Sequence, residues 1–224
     1  NPVAYIDSNI TGFINLIKTS KDFNVKKFFY ASSSSVYGDS INFPLKETEQ
    51  LNPKNFYGMT KKLNEDIARN YFENYKFKSI GLRFFTVFGE WGRPDMFMFK
   101  YLTAAYHKKK FYLNNYGNHV RGFTYINDVT NILYKLRNKK ILKNEIYNIS
   151  SNNPIGLKEI LNFFQKITPK TQVIKRRFQK SDVFKTHGSN KIILKKTNYK
   201  KFENIKKALK NTHDWYLENK KIYN

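Results

Sequence analysis

Tyr57 and Lys61 stand four residues apart in YGMTK, downstream of a run of four serines, Ser32, Ser33, Ser34 and Ser35. Together they offer a phenol, an ammonium and hydroxyls at spacings that can make an acid–base site. On a helix, residues i and i+4 share a face, so the ammonium can lie beside the phenol. A positive charge there favours the phenolate, the form able to take a proton from an alcohol. An isolated YxxxK can also be an ordinary exposed helix pair, and the surrounding residues must decide between the two.

The elements expected to position these groups alternate between helices and short apolar strands, which argues for an α/β architecture with a parallel sheet. Residues 4–19 carry Ile6, Ile10, Phe13, Ile14 and Ile17 at helical spacing. Residues 25–31 read as a buried strand with the serines following its C-terminal end, where open α/β sheets bind ligands. Residues 55–75 form a second helix, with Met59, Leu63, Ile67 and Tyr71 as its apolar stripe. Strands are expected at 79–85, 123–126 and 145–149, and helices at 96–107, 128–136, 154–167 and 205–217. Tyr57 and Lys61 then fall in the first turns of their helix, and the strand ending in Thr86 opens onto the same crevice.

The 224 residues contain no cysteine and only four scattered histidines, which excludes disulfides and thiolate metal sites and argues against any metal centre. No apolar run approaches the ~18 residues of a membrane span, and no signal-peptide pattern opens the chain. A soluble cytoplasmic protein is the expectation. Lysine and arginine number 41 against 17 acidic residues, a formal charge of +24. The cations are spread along the whole chain without a nucleic-acid-binding motif, so they read as solvated faces, not as a DNA or RNA surface.

Four segments in order, KKFFYASSSSVYG, YGMTK, LRFFTVFGEWGRPDM and GNHVRGFTYINDV, resemble the extended short-chain dehydrogenase/reductase enzymes that act on nucleotide sugars, and most of all the UDP-glucuronate 4-epimerases. The resemblance continues to SDVFKTHGSNK. It implies a Rossmann-type NAD-binding domain over residues 1–87, to which 122–150 return, and a smaller domain over 88–224 that binds mainly the nucleotide sugar. The family's first strands and Gly-rich pyrophosphate turn have no counterpart, so an N-terminally truncated chain is expected. A non-catalytic remnant, or another epimerase or dehydratase of the family, are the competing readings.

Residue by residue, the resemblance implies Ser33, Tyr57 and Lys61 as the catalytic group. Ser32, Phe84, Tyr57 and Lys61 would contact NAD; Ser33, Ser34, Thr86, Arg93, Arg121, Gln179 and Asp182 would contact the UDP-sugar. Arg93 matches the position facing the sugar carboxylate, for which a guanidinium fork is suited; bracing its own loop through Asp95 is the lesser alternative. Arg121 is assigned to the diphosphate; Gly122 follows it where the family has Asp. Serines at 34 and 35, where dehydratases carry acids, favour simple epimerisation. Family members are commonly homodimers, and the helices at 4–19 and 55–75 are the candidates for that contact.

Overall fold

The computed structural model describes residues 1–151, 153–177 and 183–223. In chain order the elements are α1 (Pro2–Tyr5), α2 (Gly12–Asp22), β1 (Phe28–Ser33), α3 (Phe56–Tyr75), β2 (Ser79–Phe84), β3 (Thr86–Phe88), α4 (Phe97–Tyr106) and β4 (Phe111–Leu113). There follow β5 (Val120–Tyr125), α5 (Ile126–Arg137), β6 (Glu145–Ile149), β7 (Pro154–Gly156), α6 (Leu157–Gln165), β8 (Val173–Lys175), β9 (Lys185–Thr186), α7 (Lys191–Thr197) and α8 (Ile205–Asn219).

The main sheet is parallel, in the order β1-β2-β6. β2 is paired on both edges and buried along all but its last residue, which is why SIGLRF reads as nearly continuous apolar sequence instead of alternating. A second sheet runs β3-β5-β7, with β9 alongside β5, and β4 pairs with β8. The parallel β1 and β2 are joined through α3, the crossover a parallel pair requires.

Four apolar clusters hold these layers. The largest gathers α4, α6 and α8 around Phe99, Tyr101, Leu102, Phe164 and Tyr216. Ile80, Leu82, Ile132, Leu136 and Ile149 fill the space between the main sheet and α5. Phe13, Ile17, Tyr30, Ala68 and Phe77 seal α2 and α3 onto the other face of β1. A small group, Val36, Tyr37, Leu45 and Phe85, packs beside the serine run.

Several elements depart from the sequence expectation. The helix foreseen over 4–19 is interrupted by a π-helical segment, Ile6–Thr11, between α1 and α2. Its wider i→i+5 turn rotates the stripe, so Phe13 and Ile17 are buried while Ile6 and Ile14 remain exposed. β1 starts at Phe28 and includes Ser32 and Ser33, so the serines end the strand instead of following it. In the segment 154–167 the first three residues pair with β5, and the helix begins at Leu157. β4, β8, β9 and α7 were not foreseen; the three strands have only two or three residues each, too short for a periodicity.

The largest departure concerns α3. Its Met59 is 55% exposed and Leu63 39%, whereas the buried face carries Gly58, Thr60, Asn64, Glu65 and Ala68. The inward face of the first turns is mostly polar because it meets the polar C-terminal end of β1. Met59 and Leu63 are left at the surface with Ile10 and Phe56 in a shallow groove, while Ile67 and Tyr71 further along the stripe pack partly buried against the Phe13 cluster.

Candidate active site

Asn55 starts α3: its side-chain oxygen accepts from the Gly58 amide at 2.8 Å, an N-cap that fixes where the first turn begins. Gly58 has no side chain to hold the helix away from the serine run. A Cβ there would lie 2.6 Å from the Ser35 carbonyl oxygen, so backbone meets backbone and Tyr57 is carried to the end of β1. Lys61 follows one turn later, its ammonium 5.8 Å from the centroid of the Tyr57 ring. Burial lowers the pKa of that ammonium from the ordinary lysine value.

The parallel register places Ser33 opposite Phe84 and Ser32 opposite Arg83. Ser33 is buried, and its hydroxyl accepts from the Ser35 amide at 3.1 Å, opening the short 3₁₀ turn Ser34–Val36. Ser32 donates to Glu65 at 2.5 Å. Glu65 also takes both arms of Arg83, at 2.9 and 2.7 Å. The remaining Arg83 nitrogen donates to Tyr37 at 2.8 Å and to the Glu47 carbonyl at 3.1 Å. Tyr37 in turn donates to Asn148 at 2.6 Å. Burial pushes the Tyr37 phenol up to about 12, which keeps it a neutral donor. Burial works against the Arg83 charge, but the hydrogen bonds and field of Glu65 outweigh it and hold the guanidinium above its ordinary value.

One buried carboxylate therefore joins β1, β2 and α3, each within a residue or a helical turn of a candidate catalytic or cofactor-contacting group. Sequence reasoning passed over Glu65 and Arg83. The signal was an arginine inside the otherwise apolar SIGLRFF and a glutamate one turn beyond Lys61.

Ser32, Ser33, Tyr57, Phe84, Trp91 and Arg93 line a single cavity of about 430 Å³ at the C-terminal ends of β1 and β2. An adjoining cavity of about 330 Å³ contains Thr86 and Arg121 and shares Val87, Phe88, Met96 and Met98 with the first. Ser34 opens the 3₁₀ turn and lines neither. Gln179 and Asp182 lie outside the described residues. Arg93 forms a two-armed pair with Asp95 at 2.9 and 2.6 Å, and its side chain is largely exposed. The loop-bracing bond is thus present while the guanidinium still borders the cavity; the pairing holds the Asp95 carboxyl below the usual range. Arg121 donates to the carbonyls of Val120 and Phe184 at 3.0 and 2.8 Å and to that of Val183, so backbone oxygens brace it from the side. Tyr125 and Phe85 are buried, as expected of core residues.

On the other side of Ala31, a third cavity of about 450 Å³ runs along β1, lined by Asn9, Gly12, Phe28, Tyr30, Lys61 and Asn64. The Asn64 side-chain oxygen is buried there with no hydrogen-bond partner. Such an orphaned acceptor beside a lysine is what a hydroxyl-bearing ligand such as a ribose would satisfy, so the residues present fit the nicotinamide-ribose end of a dinucleotide. Among the described residues no cluster of His, Asp or Glu is placed to hold a metal ion, and no helix is long and apolar enough to cross a membrane.

A parallel sheet with catalytic-type residues at its strand ends and a Tyr–Lys helix packed against them defines a Rossmann-like α/β protein of the short-chain dehydrogenase/reductase kind. Residues 1–150 match the NAD dependent epimerase/dehydratase family, to which the chain belongs. It is 34% identical over 237 residues to the Staphylococcus aureus protein CapI, spanning 97% of this chain and 71% of that one. Against the UDP-glucuronate 4-epimerase of Thermodesulfobacterium geofontis it is 36% identical over 226 residues, spanning 98% of this chain and 68% of the relative. Among solved structures, the Bacillus cereus UDP-glucuronic acid 4-epimerase in complex with UDP-glucuronic acid and NAD superimposes with a TM-score of 0.90 at 24% identity, covering 96% of this chain and 69% of that one. The Thermotoga maritima UDP-glucose 4-epimerase gives 0.90 at 23% identity, covering 98% and 72%. At those identities the two structures speak to the fold.

Proposed function

We propose that this chain carries the proton-transfer and sugar-binding centre of an NAD-dependent UDP-sugar 4-epimerase, with UDP-glucuronate and UDP-galacturonate as the interconverted pair. The observation that carries the reading is the convergence of Ser33, Tyr57 and Arg93 on one cavity, with Lys61 against the Tyr57 ring. NAD, when bound, supplies the acceptor and then the donor of the hydride at carbon 4 of the sugar. The chain's own residues do the rest. Tyr57 would take the proton of the 4-hydroxyl on oxidation of carbon 4 and, after the sugar has turned over in the cavity, return it to the same oxygen. Ser33 donates to the same oxygen, and the Lys61 ammonium stabilises negative charge on the phenol. With NAD bound, Lys61 and Asn64 would hold a ribose hydroxyl from the cavity along β1, and Ser32 and Phe84 would border the nicotinamide.

Arg93 pairs with the sugar carboxylate, exchanging its fork from Asp95. Thr86 serves the sugar, and Arg121, Gln179 and Asp182 the nucleotide; Ser34, which lines neither cavity, is left without a sugar contact. In domain terms, 1–87 with 122–150 hold the dinucleotide and 88–224 mainly the sugar nucleotide. The exposed stripe of Met59 and Leu63, with Ile10 and Phe56, is the face for a second copy of the chain. Epimerisation is favoured over dehydration because Ser34 and Ser35 offer no carboxylate to work at carbon. The test is incubation of the purified protein with UDP-glucuronate and NAD, followed by chromatography of the product. UDP-galacturonate should form, and Tyr57→Phe should abolish it; no conversion, or a Tyr57→Phe protein as active as the parent, would refute the reading.

A further inference from the structure

Residues Gly89, Glu90, Trp91 and Gly92 make a four-residue turn closed by the Gly92 amide on the Gly89 carbonyl at 3.2 Å. Trp91 takes the third position with φ +60°. Turns with a positive φ there favour glycine, because an L side chain crowds its own following carbonyl. A tryptophan at that position is strained, and strain of this kind persists only where surrounding structure over-determines it. Here it does. The Gly92 carbonyl accepts from Tyr223 at 2.7 Å, and a Cβ on Gly92 would lie 2.2 Å from the Phe99 ring. Phe99 and Tyr223 stack at 4.7 Å, so the base of the turn is clamped from below.

What the strain achieves is not burial. Trp91 is 74% exposed, and its ring contact is the tilted one with Trp215 at 5.2 Å. Trp91 is nevertheless among the residues lining the cavity that holds Ser33, Tyr57 and Arg93. A large aromatic held out of the core, in a strained backbone, beside a largely apolar cavity that also holds Ser33, Tyr57 and Arg93 serves what enters that cavity. We infer that Trp91 is a substrate-contacting residue whose indole lies against the apolar C–H face of the pyranose and covers the cavity mouth. This rests on the proposed function, which supplies the sugar.

The chain has only two tryptophans, so a Trp215→Phe background leaves Trp91 as the sole indole. Titration with UDP-glucuronate should change its emission saturably. In calorimetry, Trp91→Gly and Trp91→Ala should each bind UDP-glucuronate about tenfold more weakly, the scale of removing one aromatic face from a desolvated contact, and should bind UDP alone as the parent does. Trp91→Gly should also melt no lower than the parent, because glycine relieves the turn; a purely structural tryptophan would cost melting temperature instead. Unchanged affinity in both variants, a silent indole at saturation, or equal loss for UDP and UDP-glucuronate would overturn the inference while the parent's binding and turnover stand. Failure of the parent to bind UDP-glucuronate at all would overturn the functional reading and this inference with it.

Discussion

Removing the Glu65 carboxylate should be among the most damaging single changes in this chain. Arg83 and Glu65 expose only 5% and 8% of their side chains and meet at 2.7 Å. Glu65→Ala leaves a buried guanidinium without its counter-charge, a loss of about 3–5 kcal/mol, and strands the Ser32 hydroxyl, a further ~1–3 kcal/mol if taken alone. The two share one network and will not add in full, so about 4 kcal/mol is the expectation, a large part of the ~5–15 kcal/mol that holds a domain. The double variant Glu65→Leu with Arg83→Met removes both charges together. It should recover most of the loss, because the apolar replacement of a buried pair is often neutral. Tyr37 keeps its bond to Asn148, which limits the residual damage. Urea unfolding of the parent, Glu65→Leu, Arg83→Met and the double variant closes the cycle, with Glu65→Ala measured beside them. A Glu65→Ala loss below ~1 kcal/mol, or a double variant equal to the sum of the singles, would refute the reasoning: the pair would then be neither effectively buried nor coupled.

Four further outcomes are expected. Tyr57→Phe should lower turnover by at least about a hundredfold with little change in UDP-sugar affinity, since only proton transfer is lost; calorimetry beside product chromatography separates the two. Arg93→Ala should weaken UDP-glucuronate by roughly tenfold or more and leave UDP-glucose within about twofold, as expected of one charge-assisted pair; equal losses would remove the carboxylate assignment. Gly58→Ala should push α3 off the Ser35 carbonyl, which a Cβ would approach to 2.6 Å, lowering both melting temperature and turnover; a parent-like variant would show the contact is slack. For pH, burial disfavours the Lys61 ammonium, so its proton is lost at a lower pH than from a free lysine. Activity should therefore decline on the alkaline side before the ordinary lysine value of 10.5 is reached. Lys61→Arg should move that decline upward; a kcat–pH curve flat to 10.5 in the parent would contradict the assignment.

The legible part of this site was the part written in local spacing. Tyr57 and Lys61 share a helix face, which follows from a period that a sequence displays directly, and the serine run was placed at the C-terminal end of its strand, two residues short of where the strand ends. What the sequence hid is set by partners distant in the chain. The stripe Met59, Leu63, Ile67 and Tyr71 looked like the buried face of α3 because helical periodicity identifies an apolar face without identifying what it faces. The structure leaves Met59 and Leu63 exposed and packs Ile67 and Tyr71 partly buried against the Phe13 cluster. It buries Asn64 and Glu65, since the strand end they meet presents Ser32 and Arg83, which partner Glu65, and a cavity, which Asn64 faces. The same inversion accounts for the exposed groove at Ile10, Phe56, Met59 and Leu63. The first turns of α3 turn their polar face to the candidate catalytic centre and leave Met59 and Leu63 outward, and it is this outward pair that is proposed to meet a second copy of the chain. A charge placed on the outer stripe, such as Leu63→Lys, separates the two faces. Sedimentation should then show a smaller assembly while the Tyr57-dependent reaction of each copy persists, and unchanged sedimentation would leave the stripe without that role.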